Sequence, residues 1–252
     1  MSTNTPTFNV EKGNISIYQP TQAGRIFPDV PTFNDVDAER LYLKQRLVAA
    51  CRAFALEGFD YGFAGHLTIR DPARPELYWT NPMCVHFAQV KVSNLILVDH
   101  SGHVIEGDYA VNRAGFVLHA AVHEANPDIL AMCHAHTVYG TAFAALGRPL
   151  DPISQDAAAF FEDHIVIKDE AGQVAVEEKA GLAVADWFKG VKAAIHQNHG
   201  LLTASRHSIE AAAFWFIALE RCCRQQLLVD ATGQTPLLIP PDRSRYSREH
   251  VG

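Results

Sequence analysis

Two histidines with a single alanine between them follow an apolar run in the segment "ILAMCHAHT". Successive side chains of a β-strand point to opposite faces of the sheet. His134 and His136 would therefore project from one face, while Ala135 points away. Two imidazoles placed in this way have the reach to bind one metal ion.

A third ligand would have to come from elsewhere in the chain, and the segment "HQNHG" offers two histidines. His196 and His199 are both candidates, and their spacing alone does not choose between them. Three imidazoles with an open coordination position are typical of catalytic zinc, and imidazole also suits iron and copper. An HxH pair in a strand can also be incidental, in which case these histidines would have ordinary structural roles.

The composition is ordinary for a globular protein, and the charge argues against two classes of partner. The chain has 252 residues, which is long enough to bury a hydrophobic core. Apolar residues make up 48% and charged residues 19% of it, as in ordinary globular proteins. A net charge of −7 and a pI near 6.0 argue against nucleic acid and against a polybasic membrane anchor. No apolar run is long enough to cross a bilayer. The start of the chain lacks an apolar signal region and the five cysteines lack CxxC spacing, so we expect reduced thiols and a cytoplasmic location.

The segments that must position the histidines mix strands and helices along the chain. Residues 1–33 hold four prolines and no periodicity, which predicts an extended N-terminal arm. Residues 34–235 predict one α/β domain with a mixed, mostly antiparallel sheet, because strands and helices do not alternate strictly. That domain includes a helix predicted near 177–189, and residues 236–252 are interpreted as a C-terminal tail. The strand before the histidine pair is almost continuously apolar, which predicts burial on both faces.

Four segments, in this order, resemble the class II aldolase/adducin family. They are "GHLTIRDP", "LILVDHSGHVIEG", "LHAAVHEANPDILAMCHAHT" and "NHGLLTASRHSIEAAAFWFIALE". The resemblance covers roughly residues 38–235 and implies a three-layer α/β/α fold. It also implies a homo-oligomer, often a tetramer with active sites shared between subunits. By the same resemblance, His134, His136 and His199 would bind one divalent metal ion, with Zn²⁺ expected first and Fe²⁺ or Mn²⁺ as alternatives.

The chain departs from the family at the positions that carry aldolase chemistry. Family aldolases have a catalytic glutamate nineteen residues before the first metal ligand, where this chain has Gly115. Their phosphate ligands include an asparagine at the position of His66 and two serines at the positions of Arg113 and Ala114. Because the usual base and the usual phosphate contacts are both missing, we expect a substrate without phosphate.

Several residues are candidates for a rebuilt pocket. Arg113 and His66 could bind a carboxylate, since both side chains donate hydrogen bonds to anionic oxygens. His119 and His123 share the helix face of the missing glutamate, and either could replace it as a base. Gln155 occupies or adjoins the place from which family aldolases contribute a tyrosine to the neighbouring subunit's site. Ordinary alternatives are surface exposure for Arg113, strand hydrogen bonding for His66, packing for the two helix histidines and a loop contact for Gln155.

The expected function is that of a metal-dependent lyase, which cleaves a C–C bond or removes CO₂ from a small carbonyl or carboxylate substrate. A metal ion in this site would polarise a carbonyl group. Loss of CO₂ leaves its electron pair directly and needs no base, which suits the missing glutamate. Two alternatives stay open: a non-heme Fe(II) oxygenase of the same superfamily that acts on an aromatic acid, and an adducin-like interaction protein with a vestigial metal site.

Overall fold

The computed structural model describes residues 22–25, 30–61, 64–168 and 188–252. The α-helices in these residues are α1 (Val36–Leu56), α2 (Arg113–Ala125), α3 (Val138–Ala144), α4 (Gln155–Ala158), α5 (Ile209–Asp230) and α6 (Pro241–Val251), and two short 3-10 helices span Phe87–Gln89 and Val92–Asn94. The strands are β1 (His66–Arg70), β2 (Tyr78–Thr80), β3 (Ile96–Val98), β4 (Val104–Glu106), β5 (Ala131–Ala135), β6 (His164–Ile167), β7 (Ala193–His196) and β8 (Gly200–Ser205). None of the helices in this described part is long and apolar enough to cross a membrane.

The eight strands form one sheet in the order β4-β3-β2-β1-β5-β8-β7-β6. Every neighbouring pair is antiparallel except β6 and β7, which run parallel. The prediction of a mixed, mostly antiparallel sheet is therefore confirmed. Strand β5 lies in the interior of the sheet between β1 and β8, and all five of its residues are buried. Its continuous apolar sequence reflects helices that cover both faces of the sheet.

Helices cover the two faces of the sheet unequally. On one face, Phe54 of α1 and Phe216 of α5 join a large core cluster that includes Cys133 of β5. On the other face, Val122 of α2 packs with Met132 of β5. Neighbouring residues of β5 thus belong to opposite cores, as the alternation of strand side chains requires. This arrangement confirms the predicted three-layer α/β/α fold.

The segment interpreted as a C-terminal tail contains helix α6, which returns to the body of the protein. Arg245 of α6 donates two hydrogen bonds to Glu162, at 2.9 and 2.7 Å. The predicted arm at 1–33 falls mostly outside the described residues, and so does the helix predicted near 177–189. The domain boundaries therefore stay predictions.

His123 is one of the two helix candidates for a base, and it is fully buried between α2 and the sheet. Its Nδ1 lies 3.2 Å from the carbonyl oxygen of Ile129, and its Nε2 lies 2.9 Å from the hydroxyl of Thr68. Burial, reinforced by the positive charge of Arg70, lowers the pKa of His123 to about 3. Both nitrogens of the neutral ring are thus engaged in joining the helix to the sheet.

This buried imidazole should make the stability of the metal-free protein depend on pH. Below pH 6.5 the unfolded chain binds a proton at His123, whereas the folded chain does not until the pH approaches about 3. The free energy of unfolding should therefore fall as the pH is lowered from about 6.5, with a contribution from this one group of up to about 1.4 kcal/mol per pH unit. Urea unfolding at several pH values between 5 and 8 measures that slope.

The variant His123→Gln should show a shallower slope than the unmodified chain over the same pH range. The control is Val122→Ala, which removes packing at the adjacent buried position without changing a titratable group. It should lower the free energy of unfolding at every pH and leave the slope unchanged. An unaltered slope in His123→Gln would show that this histidine is not held neutral by the fold.

Candidate metal centre

Three histidines from two segments of the chain meet at one end of β5. His134 lies on β5, His136 comes directly after the strand, and His199 lies in the turn between β7 and β8. Each offers one ligand nitrogen, and the three nitrogens lie within 4.8 Å of one another. The ring centroids are 5.0 Å apart for His134 and His136, and 4.9 and 4.8 Å from these two to His199. We call these three residues the histidine cluster.

The turn between β7 and β8 brings His199 to the end of β5. Asn198 has a φ of 59°, the left-handed conformation that asparagine tolerates better than most residues. A Cβ atom on Gly200 would lie 3.2 Å from the carbonyl oxygen of Ala135, so the close approach of the two strands favours glycine there. The "NHG" sequence therefore combines a residue suited to the turn with one suited to the strand contact.

The cluster has the donor chemistry that a divalent metal ion requires. His134 Nδ1 lies 2.8 Å from the carbonyl oxygen of Leu201 and must donate its hydrogen, which leaves the Nε2 lone pair available. His199 Nδ1 is buried and makes no hydrogen bond within the described chain. Burial, together with His196 and His136, lowers the pKa of His199 to about 3. Burial also lowers the pKa of His134 and His136, and the neutral imidazole is the form that binds metals.

His196 was the competing candidate for the third ligand, and the structure places it beside the cluster. It is buried, and its ring stacks on that of His199 with centroids 4.7 Å apart and planes inclined by 30°. The group of mutually close ligand nitrogens contains His199 and not His196. The geometry therefore favours the set implied by the family resemblance, although metal binding itself stays a prediction.

His66 lies next to the cluster and fills the space beside Gly115. Its Cα pairs with that of His134 across β1 and β5, and the two ring centroids are 5.1 Å apart. A Cβ atom on Gly115 would lie only 2.2 Å from Cε1 and 2.3 Å from Nδ1 of His66. Any side chain at position 115 would therefore displace this imidazole.

Both ring nitrogens of His66 are buried without a hydrogen-bond partner in the described residues. Burial and then His119, His199 and His136 lower its pKa well below the usual value, while the backbone of Gly115 acts in the opposite direction.

A chain of hydrogen bonds on the α2 side sets the tautomer of His119. His123 donates its Nδ1 hydrogen to the Ile129 carbonyl at 3.2 Å; Arg70 Nη2 is farther from that nitrogen, at 3.5 Å. His123 Nε2 then accepts from the Thr68 hydroxyl at 2.9 Å. The Thr68 oxygen in turn accepts the Nδ1 hydrogen of His119 at 2.8 Å. We assign this direction because a neutral imidazole has one donor and one acceptor nitrogen.

The consequence is a free lone pair on His119 close to His66. His119 Nε2 is left as an acceptor, and it is buried without a hydrogen-bond partner in the described chain. The two imidazole rings have centroids 4.1 Å apart. His66 and His119 therefore form a polar, neutral pair directly beside the histidine cluster, where a substrate group could satisfy the nitrogens that the protein leaves unpaired.

The other two candidate residues lie at more exposed positions. Arg113 begins α2 and is exposed, two residues before Gly115. Gln155 begins α4 and is also exposed, and it lines a groove of about 420 Å³ with residues that include Phe214 and Trp215 of α5. No member of the histidine cluster lines that groove. The groove at Gln155 thus does not include the cluster, and the functional roles of Arg113 and Gln155 stay predictions.

Sequence reasoning missed two residues that support the site. Thr68 stands two positions after His66, so the strand alternation already places both side chains on one face, and this signal was available. Glu220 follows an apolar stretch of α5 and is buried, with 6% of its surface exposed. Its partners come from the turn after β5, which no local pattern in the sequence could indicate.

Residues 45–227 match the family model described as the class II aldolase and adducin N-terminal domain. The chain belongs to this family. It is 42% identical over 228 residues to the decarboxylase NovR of Streptomyces niveus, a match that covers 90% of this chain and 83% of that protein. It is also 42% identical to a 4-hydroxy-3-prenylphenylpyruvate oxygenase/4-hydroxy-3-prenylbenzoate synthase of Streptomyces roseochromogenus subsp. oscitans, covering 90% of this chain and 81% of that protein.

A solved structure of the same family has a closely similar fold. It is described as L-fuculose 1-phosphate aldolase from Glaciozyma antarctica PI12 and superposes with a TM-score of 0.82. The sequence identity is 43%, over 89% of this chain and 87% of that one. Relatives of equal similarity thus have names that refer to different reactions, so the family alone does not choose the substrate of this class II aldolase homologue.

Removal of any one histidine of the cluster should abolish tight metal binding by this family member. We expect one divalent ion per chain after reconstitution with Zn²⁺ and gel filtration, measured by inductively coupled plasma mass spectrometry. His134→Ala, His136→Ala and His199→Ala should each lose it, because two imidazoles hold zinc much less firmly than three. The matched control is His196→Gln, which changes the stacked neighbour and should keep the ion. If His196→Gln loses the metal and His199→Ala keeps it, the third ligand is His196 and not His199.

Proposed function

We propose that this protein is a metal-dependent lyase that cleaves a C–C bond or removes CO₂ from a small, non-phosphorylated carbonyl acid. The observation that carries the proposal is the His66 ring, which fills the space of any side chain at position 115 beside the histidine cluster. A pocket so arranged offers imidazole nitrogens to a substrate where family aldolases have a glutamate. The 42% identity to a protein named as a decarboxylase supports the same conclusion.

Three residues would hold the metal and two would contact the substrate. His134, His136 and His199 would bind one divalent ion, with Zn²⁺ as the first choice and Fe²⁺ or Mn²⁺ as alternatives. Such an ion, when bound, supplies Lewis-acid polarisation of a carbonyl group. His66 would donate a ring N–H to a carboxylate or carbonyl oxygen, and burial strengthens such a hydrogen bond. Arg113, at the start of α2, would attract the substrate's carboxylate.

The bond that breaks determines which residues must move a proton. A carboxylate placed β to a carbonyl leaves as CO₂, and its electron pair delocalises into that carbonyl, so no base acts in this step. Protonation of the carbon then completes the reaction. Cleavage of a 3-hydroxy carbonyl compound instead begins with loss of the hydroxyl proton. The Nε2 lone pair of His119 is the group in this chain that would accept it, directly or through His66.

A second function, that of a non-heme Fe(II) oxygenase, is favoured by the relative whose name specifies an arylpyruvate. In a 2-oxo acid the carboxylate is bonded to the carbonyl carbon itself. Loss of CO₂ would leave the electron pair on that carbon without a conjugated acceptor, so an oxidant such as O₂ is needed. The lyase and the oxygenase would therefore take different acids: a 3-oxo or 3-hydroxy carbonyl acid for the first and an aromatic 2-oxo acid for the second.

The exposed position of Gln155 supports a further part of the proposal, a homotetramer with shared active sites. Because Gln155 lines a groove that no member of the histidine cluster lines, we infer that it would act on the site of a neighbouring subunit. A monomeric mass in sedimentation velocity would contradict this arrangement. All five cysteines are free, which supports the proposal of a reducing, cytoplasmic setting.

One panel of substrates tests the reaction class. The protein is reconstituted anaerobically with Zn²⁺ or Fe²⁺ and incubated with benzoylacetate, a 4-hydroxy-2-oxo acid, 4-hydroxyphenylpyruvate or L-fuculose 1-phosphate. Release of CO₂, formation of aldehyde and consumption of oxygen are measured under argon and under air. We expect turnover of one of the first two acids under argon. His66→Ala should lower its kcat/KM by about 10²-fold or more, as loss of a proton-transferring or oxyanion-binding group does.

Each alternative has its own outcome in this panel. Product from 4-hydroxyphenylpyruvate only in air, with stoichiometric oxygen uptake, would replace the lyase by the oxygenase. Efficient cleavage of L-fuculose 1-phosphate, the compound in the name of the 43% identical structure, would contradict the proposed lack of phosphate in the substrate. Absence of both metal binding and turnover would favour an adducin-like interaction protein.

A further inference from the structure

A buried carboxylate holds the turn that follows the metal-ligand pair. Glu220 of α5 accepts hydrogen bonds from the backbone N–H groups of Tyr139 and Gly140, at 3.0 and 2.6 Å. It also accepts one from the hydroxyl of Thr137, the residue directly after His136. Both carboxylate oxygens are thus engaged by a single turn of chain, and only 6% of the residue is exposed.

This contact caps helix α3 from outside the helix. The first N–H groups of a helix have no partner within it, and a nearby side-chain oxygen usually supplies one. Thr137 is the N-cap residue of α3, yet its side chain makes no capping hydrogen bond. Glu220 supplies the acceptors instead, and its negative charge suits the positive end of the helix. The cap therefore depends on α5 being in its correct place.

Helix α3 also contacts the segment that carries the third histidine of the cluster. The Thr141 hydroxyl lies 3.4 Å from the carbonyl oxygen of His199. A Cβ atom on Gly140 would lie 2.5 Å from Leu201 and 2.6 Å from the Thr137 hydroxyl oxygen, so α3 packs against β8 without spare room. A shift of the first turn of α3 would therefore displace the backbone next to both His136 and His199.

We propose that Glu220 is a positioning residue for the metal centre: it fixes the backbone after His136 and holds α3 against the turn of His199. This inference rests on the proposed metal site. A purely structural helix cap is the competing explanation, and it differs in one measurable respect. Loss of a structural cap lowers the stability of the protein, whereas loss of a positioning residue also weakens metal binding in the chains that are folded.

Zinc affinity and the spectrum of bound cobalt separate the two explanations. The variants are Glu220→Ala, Glu220→Gln and Thr137→Val, each tested as the full chain and checked for folding by circular dichroism. Competition with a chromogenic chelator measures the dissociation constant of Zn²⁺. The visible bands of Co²⁺ report the ligand geometry without any assay of activity. The control is Thr203→Val, which removes a buried hydrogen bond of 2.8 Å to the Ala212 carbonyl of the same helix α5.

We expect Glu220→Ala to weaken zinc binding by about 10-fold and to alter the Co²⁺ bands; this is the low end of the effect of losing a direct partner of a metal ligand, because Glu220 acts through the backbone after His136. Glu220→Gln keeps one carbonyl oxygen for the turn and should lose less. Thr137→Val removes the hydroxyl contact alone and should also weaken binding, which keeps the test decisive if Glu220→Ala does not fold. Thr203→Val should lower stability and keep the zinc affinity.

Two different outcomes would refute two different claims. If the unmodified protein binds zinc and both Glu220→Ala and Thr137→Val bind it equally well, Glu220 is only a helix cap and the inference is wrong. If the unmodified protein binds neither Zn²⁺ nor Co²⁺, the proposed metal site is wrong and the inference falls with it.

Discussion

The central physical feature of this protein is a group of buried imidazole nitrogens that the described residues leave without hydrogen-bond partners. Within the part of the chain that the structure describes, His66, His119 and His199 each have at least one buried ring nitrogen without a hydrogen-bond partner, and all three rings lie in or beside the histidine cluster. Leaving a buried polar group unpaired costs roughly 1–3 kcal/mol, so folds seldom retain several in one place unless a ligand, ion or water satisfies them. An oxygen-rich substrate would satisfy the nitrogens of His66 and His119, next to a divalent cation in the histidine cluster.

The rest of the fold holds these rings in position from two sides. On the α2 side, the hydrogen bonds from Ile129 through His123 and Thr68 orient His119 toward His66. On the opposite side, Glu220 of α5 holds the turn after His136. Between them, β1, β5 and β8 form the middle of the sheet. The register of these strands fixes the position of His66 relative to His134. The middle layer positions the ligands and orients His134 through Leu201, α2 orients the neighbouring His119, and α5 holds the turn after His136.

The parts of this arrangement that depend on local periodicity could be predicted from the sequence. Alternation along "MCHAHT" places two histidines on one face, and the continuous apolar strand before them indicates layers on both sides. The sequence showed two separate departures from the family pattern: a histidine at position 66 in place of asparagine, and Gly115 in place of glutamate. Their mutual dependence was not visible, since it arises from β1 lying next to β5 and α2 crossing above, a contact between segments far apart in the chain. Glu220 escaped prediction for the same reason.

Anomalous diffraction from crystals grown with Zn²⁺ tests the central claim most directly. Data collected on both sides of the zinc absorption edge locate the ion without reference to any reaction. The account predicts one strong peak per chain, bounded by ring nitrogens of His134, His136 and His199, with His66 and His119 facing the open side. A peak bound to His196 in place of His199, or no peak at the end of β5 in crystals that contain zinc elsewhere, would contradict it.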